Sequence, residues 1–248
     1  MLAGVSTEYY SRLERGDMRG VSDSVLNALA RALQLDDAER THLFDLARTN
    51  ITHAPSSART IRPAMRPSIA RLLDSMSATP AYIRNARFDI LTANPACFAL
   101  YAGVLQPEAL PFNLARFVFL DARAKDFFVE WEHIADDITS ALRVEAGKSP
   151  GDRDLSRLVG DLATGSAAFA TRWARHDVRF HVTSTKRLRS SLVGEIELTG
   201  DALELPSDGL TLIAYTAEPQ SRAQQQLDFL ISWASDHHET EDHENTPR

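Results

Sequence analysis

The 248-residue sequence predicts an α+β chain. A small all-helical part comes first, and a larger domain with an antiparallel sheet packed against helices follows. Three observations predict this. Up to residue 50, apolar residues recur at helical spacing in three short runs. Pro55, Ser56, Ser57 and Pro63 then interrupt every periodicity. Late in the chain the period switches to two: Val178, Phe180 and Val182 alternate with Arg179, His181 and Thr183. The expected division is therefore 1–50 helical, 51–66 linker, 67–235 sheet-and-helix domain and 236–248 disordered polar tail.

Each element has a local reason. Ser6 is placed to cap a helix over Thr7–Arg15, and Gly16 ends it. On that helix Tyr10 and Leu13 share a face with the preceding Val5, while Glu8, Tyr9, Arg12 and Arg15 point elsewhere. A second helix starts near Ser22 and carries Val25, Leu26, Leu29 and Leu33. A third starts at Asp36, with Glu39 set for a reciprocal capping box, and carries Leu43, Leu46 and Ala47. Helices this short require tertiary packing. In the linker Arg59, Arg62 and Arg66 arrive without an acid, which reads as a plain linker or as a basic strap near DNA phosphates.

Beyond it, Pro67–Met76 fits a short helix with Ile69, Leu72 and Leu73 inward. Ala81–Asn85 and Asp89–Ala93 are expected as strands around a turn at Arg87. Asn94-Pro95 then opens a helix, the first residue as cap and the second preset for the first turn. A long helix is expected over Asp121–Ala146, closed by Gly147, with Ala124, Phe127, Phe128, Trp131, Ala135, Ile138 and Leu142 on one face. Shorter helices follow over Leu155–Ala163 and Ala167–His176, the latter placing Phe169 and Trp173 together. After the alternating run, Leu192–Thr199 and Leu210–Ala217 read as strands, separated by Gly200 and the turn Pro206-Ser207-Asp208-Gly209. A last helix spans about Ser221–Ala234, with Leu227, Leu230 and Ile231 inward.

Composition excludes several classes. Hydrophobic residues are 44% and charged residues 25%, too rich in apolar groups for a disordered chain. No apolar run approaches the roughly 18–20 residues of a spanning helix, and no signal-like stretch opens the chain. A cytoplasmic protein with no membrane partner is expected. The single cysteine, Cys97, rules out an internal disulfide. The net charge of −7 argues against a coat of nucleic acid but leaves room for a small basic face.

The string Leu2-Ala3-Gly4-Val5-Ser6-Thr7-Glu8-Tyr9-Tyr10-Ser11-Arg12-Leu13-Glu14-Arg15-Gly16 resembles the turn and recognition helix of the Cro/repressor-like (XRE-type) helix-turn-helix. Gly20 to Ala47 is similar to the last two helices of that domain. The resemblance implies that Thr7 and Tyr9 face bases, and that Ser6, Ser11, Arg12 and Arg15 contact phosphates or position the helix. A full motif also needs a first helix and part of a second before Leu2. The chain is thus expected to be truncated within the motif, and a module that has lost DNA binding is the alternative reading.

Asp89 to Ala96, a strand running into Asn-Pro and a helix, resembles the opening of a PAS domain. The whole arrangement is similar to the MmyB-like transcriptional regulators. Matching strings include Pro80-Ala81-Tyr82-Ile83-Arg84-Asn85, Phe119-Leu120-Asp121, Trp173-Ala174-Arg175-His176-Asp177-Val178 and Tyr215-Thr216-Ala217-Glu218. Ser190-Ser191 departs from the His-Pro usual in relatives. The resemblance implies a repressor-like DNA reader fused to a PAS-like domain that binds a small hydrophobic, fatty-acid-like molecule. A homodimer is expected, because paired recognition helices raise affinity and specificity.

No catalytic constellation is present, so the chain does not read as an enzyme, and no cofactor is expected. Cys97 lies beside Phe98, where a small buried thiol is the ordinary outcome. Glu130 and His133 are three apart, but no further His or Cys stands nearby to complete a metal site. His237, His238 and His243 fall in the polar tail. There is no phosphate loop, dinucleotide fingerprint or Gly-x-Ser-x-Gly. What stands out is aromatic: Phe117, Phe119, Phe127, Phe128, Trp131, Phe169 and Trp173. They serve equally as plain core or as a cavity lining, with Tyr82, Arg116 or His176 holding a headgroup. Phe117, Phe128, Trp131, Phe169 and Trp173 are the expected lining.

Overall fold

The computed structural model describes residues 21–36, 39–40, 43–44, 47, 65–175 and 183–244. The expected first strand pair is present, β1 over Ala81–Asn85 and β2 over Asp89–Ala93. A two-residue β3 (Phe112–Asn113) pairs with β2. Later come β4 (Thr183–Ser190), β5 (Gly194–Leu205) and β6 (Leu210–Thr216). All pairings are antiparallel, in the order β3-β2-β1-β6-β5-β4. The last strand thus lies beside the first, with Tyr82 opposite Ile213 and Ile83 opposite Leu212.

The described helices, in chain order, are α1 (Asp23–Ala32), α2 (Pro67–Ser75), α3 (Pro95–Leu100), α4 (Leu114–Leu120) and α5 (Arg123–Phe127). Then follow α6 (Trp131–Lys148), α7 (Arg153–Gly165), α8 (Ala167–Arg175) and α9 (Arg222–Glu244). The chain divides into two units, residues 1–61 with 137–180 and residues 62–136 with 181–248. In the first, Val21, Leu26, Leu29 and Ala47 form a small core with Val25, Leu43 and Phe44 against it. The expected capping box is made: Asp36 N–H donates to Glu39 at 3.0 Å and Glu39 N–H to Asp36 at 2.8 Å. In the same unit Asp152 caps α7 through the N–H groups of Asp154 and Leu155.

The second unit holds the sheet, the PAS-like core expected from the sequence. Alternation sends Ala81, Ile83, Leu210, Leu212 and Ala214 to one face, where Ile69 and Leu73 of α2 cover them. Tyr82, Ile213 and Tyr215 point to the other face. There α3 packs on β1, α4 on β2, and α5 on β4, while α9 packs on α3 and β5. With both faces covered, β6 reads as the near-continuous apolar run Leu210-Thr211-Leu212-Ile213-Ala214-Tyr215.

Several expectations need correction. The helix expected over Asp121–Ala146 is two helices, α5 and α6. Phe128 leaves the helical path to bridge Leu188 of β4, and Val129 N–H donates to the Arg187 carbonyl at 3.1 Å. Sheet pairing at an edge outcompetes helical continuity there. Glu130 therefore precedes α6 and pairs with Arg187 at 3.0 Å. β4 runs through Ser190, beyond the expected end at Thr183; Val178 to Val182 lie outside the described residues.

β5 passes through Gly200 instead of ending there. Gly200 lies opposite Tyr215, and a Cβ on it would sit 3.1 Å from that ring. The glycine marks a close approach, not a stop. Leu33, expected on the apolar face of the second helix, lies just past the end of α1 and is 45% exposed. Leu72 is exposed on α2 as well. The tail expected to be disordered from Asp236 is helical as far as Glu244, as an extension of α9. Arg66 finds its acid far along the chain: its guanidinium grips both carboxylate oxygens of Asp208, at 2.8 and 2.6 Å. β3 and α4 had no counterpart in the sequence reading.

Asn94 joins these parts. It is 1% exposed and uses its whole amide. Its oxygen accepts from Ala81 N–H and Cys97 N–H, both at 3.0 Å, and its NH2 donates to the carbonyls of Met76 and Thr79, both at 2.8 Å. Asn94→Ala would leave two buried N–H groups and two carbonyls to find new partners. Each such group costs about 1–3 kcal/mol, so a loss of about 3 kcal/mol or more is expected. Denaturant unfolding monitored by tryptophan fluorescence checks this; a loss below about 1 kcal/mol would refute it.

Candidate ligand-binding site

The face of the sheet opposite α2 is lined by rings. Tyr82 comes from β1, Tyr215 from β6, and Tyr101 caps the C-terminus of α3. The three are 2%, 1% and 1% exposed. The Tyr101 and Tyr215 hydroxyls are 2.7 Å apart. Tyr82 meets the Tyr101 ring edge-on at a centroid distance of 6.2 Å and the Tyr215 ring at 6.3 Å. From Tyr101 the rings continue without a polar group. Phe127 lies 4.9 Å from Tyr101 and 4.9 Å from Phe128, and Phe117 lies 6.2 Å from each of those phenylalanines. Such contacts contribute roughly 0.5–1.5 kcal/mol each beyond their buried area.

Phe117 and Phe128 of the expected lining, and Tyr82 of the expected headgroup residues, therefore belong to one ring cluster. Trp131 stands beside it, packing edge-on against Phe119 at 6.1 Å and donating from Nε1 to the Val118 carbonyl at 2.8 Å. Phe169 and Trp173 belong to the other unit, stacked on each other at 5.5 Å. There the buried Arg143 guanidinium lies 4.4 Å over the Trp173 ring and donates to the Trp173 carbonyl. Arg116 is exposed on α4. His176 lies outside the described residues, as do the expected DNA contacts Ser6, Thr7, Tyr9, Ser11, Arg12 and Arg15.

The sequence reading missed Tyr101 and Tyr215. A signal existed for Tyr215: in the period-two strand it shares parity with Ile213 and opposes Leu212 and Ala214. Tyr101 follows a six-residue helix whose length the sequence left open.

Electrostatics in the cluster is set by burial. Desolvation pushes the Tyr82 hydroxyl up to about 12, against the opposing field of Arg84 and its hydrogen bonding with Tyr215. Desolvation, with the neighbouring phenols adding to it, raises Tyr101 and Tyr215 well above the ordinary value. Burial raises Cys97 in the same way, so its thiol stays protonated and is a poor nucleophile. The phenols are thus neutral hydrogen-bond donors at any physiological pH. Among the described residues, no group of three or more His, Cys, Asp or Glu could hold a metal ion. No described helix is long and apolar enough to cross a membrane.

Comparison with protein-family models adds the wider context. The model described as the MmyB-like transcription regulator ligand binding domain matches residues 65–230, about two thirds of the chain. The chain belongs to the MmyB-like transcription regulators. A helix-turn-helix domain model matches residues 1–43 of this regulator. No curated protein matches the chain. The phenol cluster and the phenylalanine string of one unit, and the stacked Phe169–Trp173 pair of the other, all fall inside the segment matched by the ligand-binding model.

Burial of the phenols has a measurable consequence in this MmyB-like regulator. The unfolded chain releases phenolic protons from about pH 10, while the folded chain holds those of Tyr82, Tyr101 and Tyr215 to higher pH. The stability they confer is complete below that pH and is lost as pH rises toward the folded values. Absorbance titration at about 295 nm should therefore ionise at most two of the five tyrosines before the fold melts. Smooth ionisation of four or five with the fold intact would contradict the burial.

Proposed function

We propose that this regulator senses an elongated apolar molecule with one polar end, such as a fatty acid, and that it does so as a cytoplasmic homodimer bound to DNA. The observation that carries the reading is the polarity gradient on the inner face of the sheet. Phe117, Phe127 and Phe128 are entirely apolar, and the string ends at the hydroxyls of Tyr101 and Tyr215. An amphipathic chain has the same gradient. The family assignment supports the two roles, because a helix-turn-helix model and a ligand-binding model match successive parts of one chain. In the reader, Thr7 and Tyr9 are proposed to face bases, with Ser6, Ser11, Arg12 and Arg15 on phosphates. Two readers give paired half-sites and a larger interface than one short helix provides.

Burying an alkyl chain contributes about 0.8 kcal/mol per methylene, of which about half is lost to ordering and imperfect fit. Affinity for saturated fatty acids should therefore rise about twofold per methylene and then fall once the lining is full. Native mass spectrometry of protein purified without detergent, followed by a titration from eight to eighteen carbons, tests this. A length-dependent optimum is the expected result. Binding of none of the acids, or binding indifferent to length, would overturn the reading.

A further inference from the structure

We propose that the outer face of α9 pairs with the same helix of a second copy of the chain, antiparallel about a two-fold axis, through Phe229 and Trp233. The proposal rests on the homodimer reading above and names where the two copies meet.

α9 is longer than the helix it packs on. Its 23 residues span about 34 Å, and the six residues of α3 about 9 Å. Packing turns Leu227, Leu230 and Ala234 inward. Gln226 fixes the rotation of α9, donating from Nε2 to the Val193 carbonyl at 2.8 Å and to the Glu195 carbonyl at 3.1 Å. With that rotation Gln225, Phe229, Ser232 and Asp236 form one exposed stripe on the far side of the helix. Phe229 is 54% exposed there, and Trp233, one turn on, is half-buried at the edge of the stripe.

Charge along α9 selects both the occupant and its direction. Arg222 to Ser235 holds one arginine and one aspartate and is neutral, whereas Asp236 to Glu244 holds five carboxylates and neither lysine nor arginine. The helix dipole adds positive character to the first end. The stripe therefore complements a reversed copy of itself, each acidic half lying along the neutral, dipole-positive half of the other helix. A parallel pair would set five carboxylates against five. The spacing is self-complementary as well, which an isologous contact requires. Positions 225, 229, 232 and 236 are symmetric about a point between Leu230 and Ile231. A two-fold axis there sets Phe229 beside the partner's Ser232 and Trp233, and the Gln225 amide opposite the partner's Asp236.

The test is sedimentation equilibrium of the full chain, with circular dichroism reporting the fold. One helix pair is a small interface, so a dissociation constant of about 1–100 μM is expected. Phe229→Glu should raise it about tenfold or more, because the two-fold axis counts the substitution twice. Leu203→Glu is the control: Leu203 is 51% exposed on β5, on the face of the sheet that α2 covers. It should change the constant by no more than about twofold. Direction is read from Gln225→Cys and Asp236→Cys under mild oxidation, where the buried Cys97 does not compete. A mixture of the two variants should form disulfide-linked dimers faster than either alone. A chain monomeric up to about 1 mM would overturn the homodimer reading and this contact together. A dimer that Phe229→Glu leaves intact, or that Leu203→Glu weakens as much, would overturn the contact and leave the homodimer reading standing. Faster linking of each cysteine variant to itself than in the mixture would do the same, and this arm decides even where Phe229→Glu fails to fold.

Discussion

The amide of Asn94 ties together three segments that would otherwise be independent. Its four hydrogen bonds reach the loop after α2 at Met76 and Thr79, the first residue of β1 at Ala81, and the first turn of α3 at Cys97. Asn94 N–H also donates to the Ala81 carbonyl, closing the end of the β1–β2 ladder. α2 covers one face of the sheet and α3 the other. A single buried side chain therefore sets where both layers sit relative to β1. No residue but asparagine matches the demand. Two N–H donors and two carbonyl acceptors must be met by one short planar group, and an aspartate would present oxygens to two carbonyls.

From that anchor the rest of the sheet unit follows by alternation. Fixing β1 sends Ile83 toward α2 and Tyr82 away from it, and the β1–β6 register copies the choice onto Leu212 and Ile213. Tyr215 then falls on the same face as Tyr82, opposite Gly200. The C-terminus of α3, started by Asn94 and Pro95, brings Tyr101 to meet it. The polar end of the proposed site is in this sense a geometric product of the cap. The Arg66–Asp208 pair fastens the other end of the unit, where the chain enters α2, to the turn between β5 and β6. Arg187 likewise holds Glu130 and Glu195, joining the start of α6 to the edge of the sheet.

Local chemistry was legible wherever a residue's partner lay close in sequence. The strands Ala81–Asn85 and Asp89–Ala93, the Asn94 cap and the Asp36–Glu39 capping box are all short-range features. What escaped was set at long range. The break at Phe128 depends on Leu188, and the passage of β5 through Gly200 depends on Tyr215. Arg66 is paired by a residue more than a hundred positions away, which no local pattern announces. The same limit applies to the candidate site. Phe117 and Phe128 stand out in the sequence as part of an aromatic cluster, and Tyr82 as a polar group for a headgroup. The hydroxyl pair joins Tyr101 to Tyr215 across most of the domain and becomes visible only when the sheet is closed.

In the proposed function, one chain couples uptake of an apolar ligand to the reading of DNA. By linkage, a ligand that alters DNA affinity must have its own affinity altered by DNA to the same degree. The direct measurement is the affinity of the full chain for a duplex selected from a random pool. It is taken at fixed salt, with and without a saturating fatty acid from the optimum of the length series. The account predicts a change of about fivefold or more, with the same factor recovered when fatty-acid affinity is measured with and without the duplex. Equal DNA affinities in the two states, with the lipid shown to be bound, would contradict it.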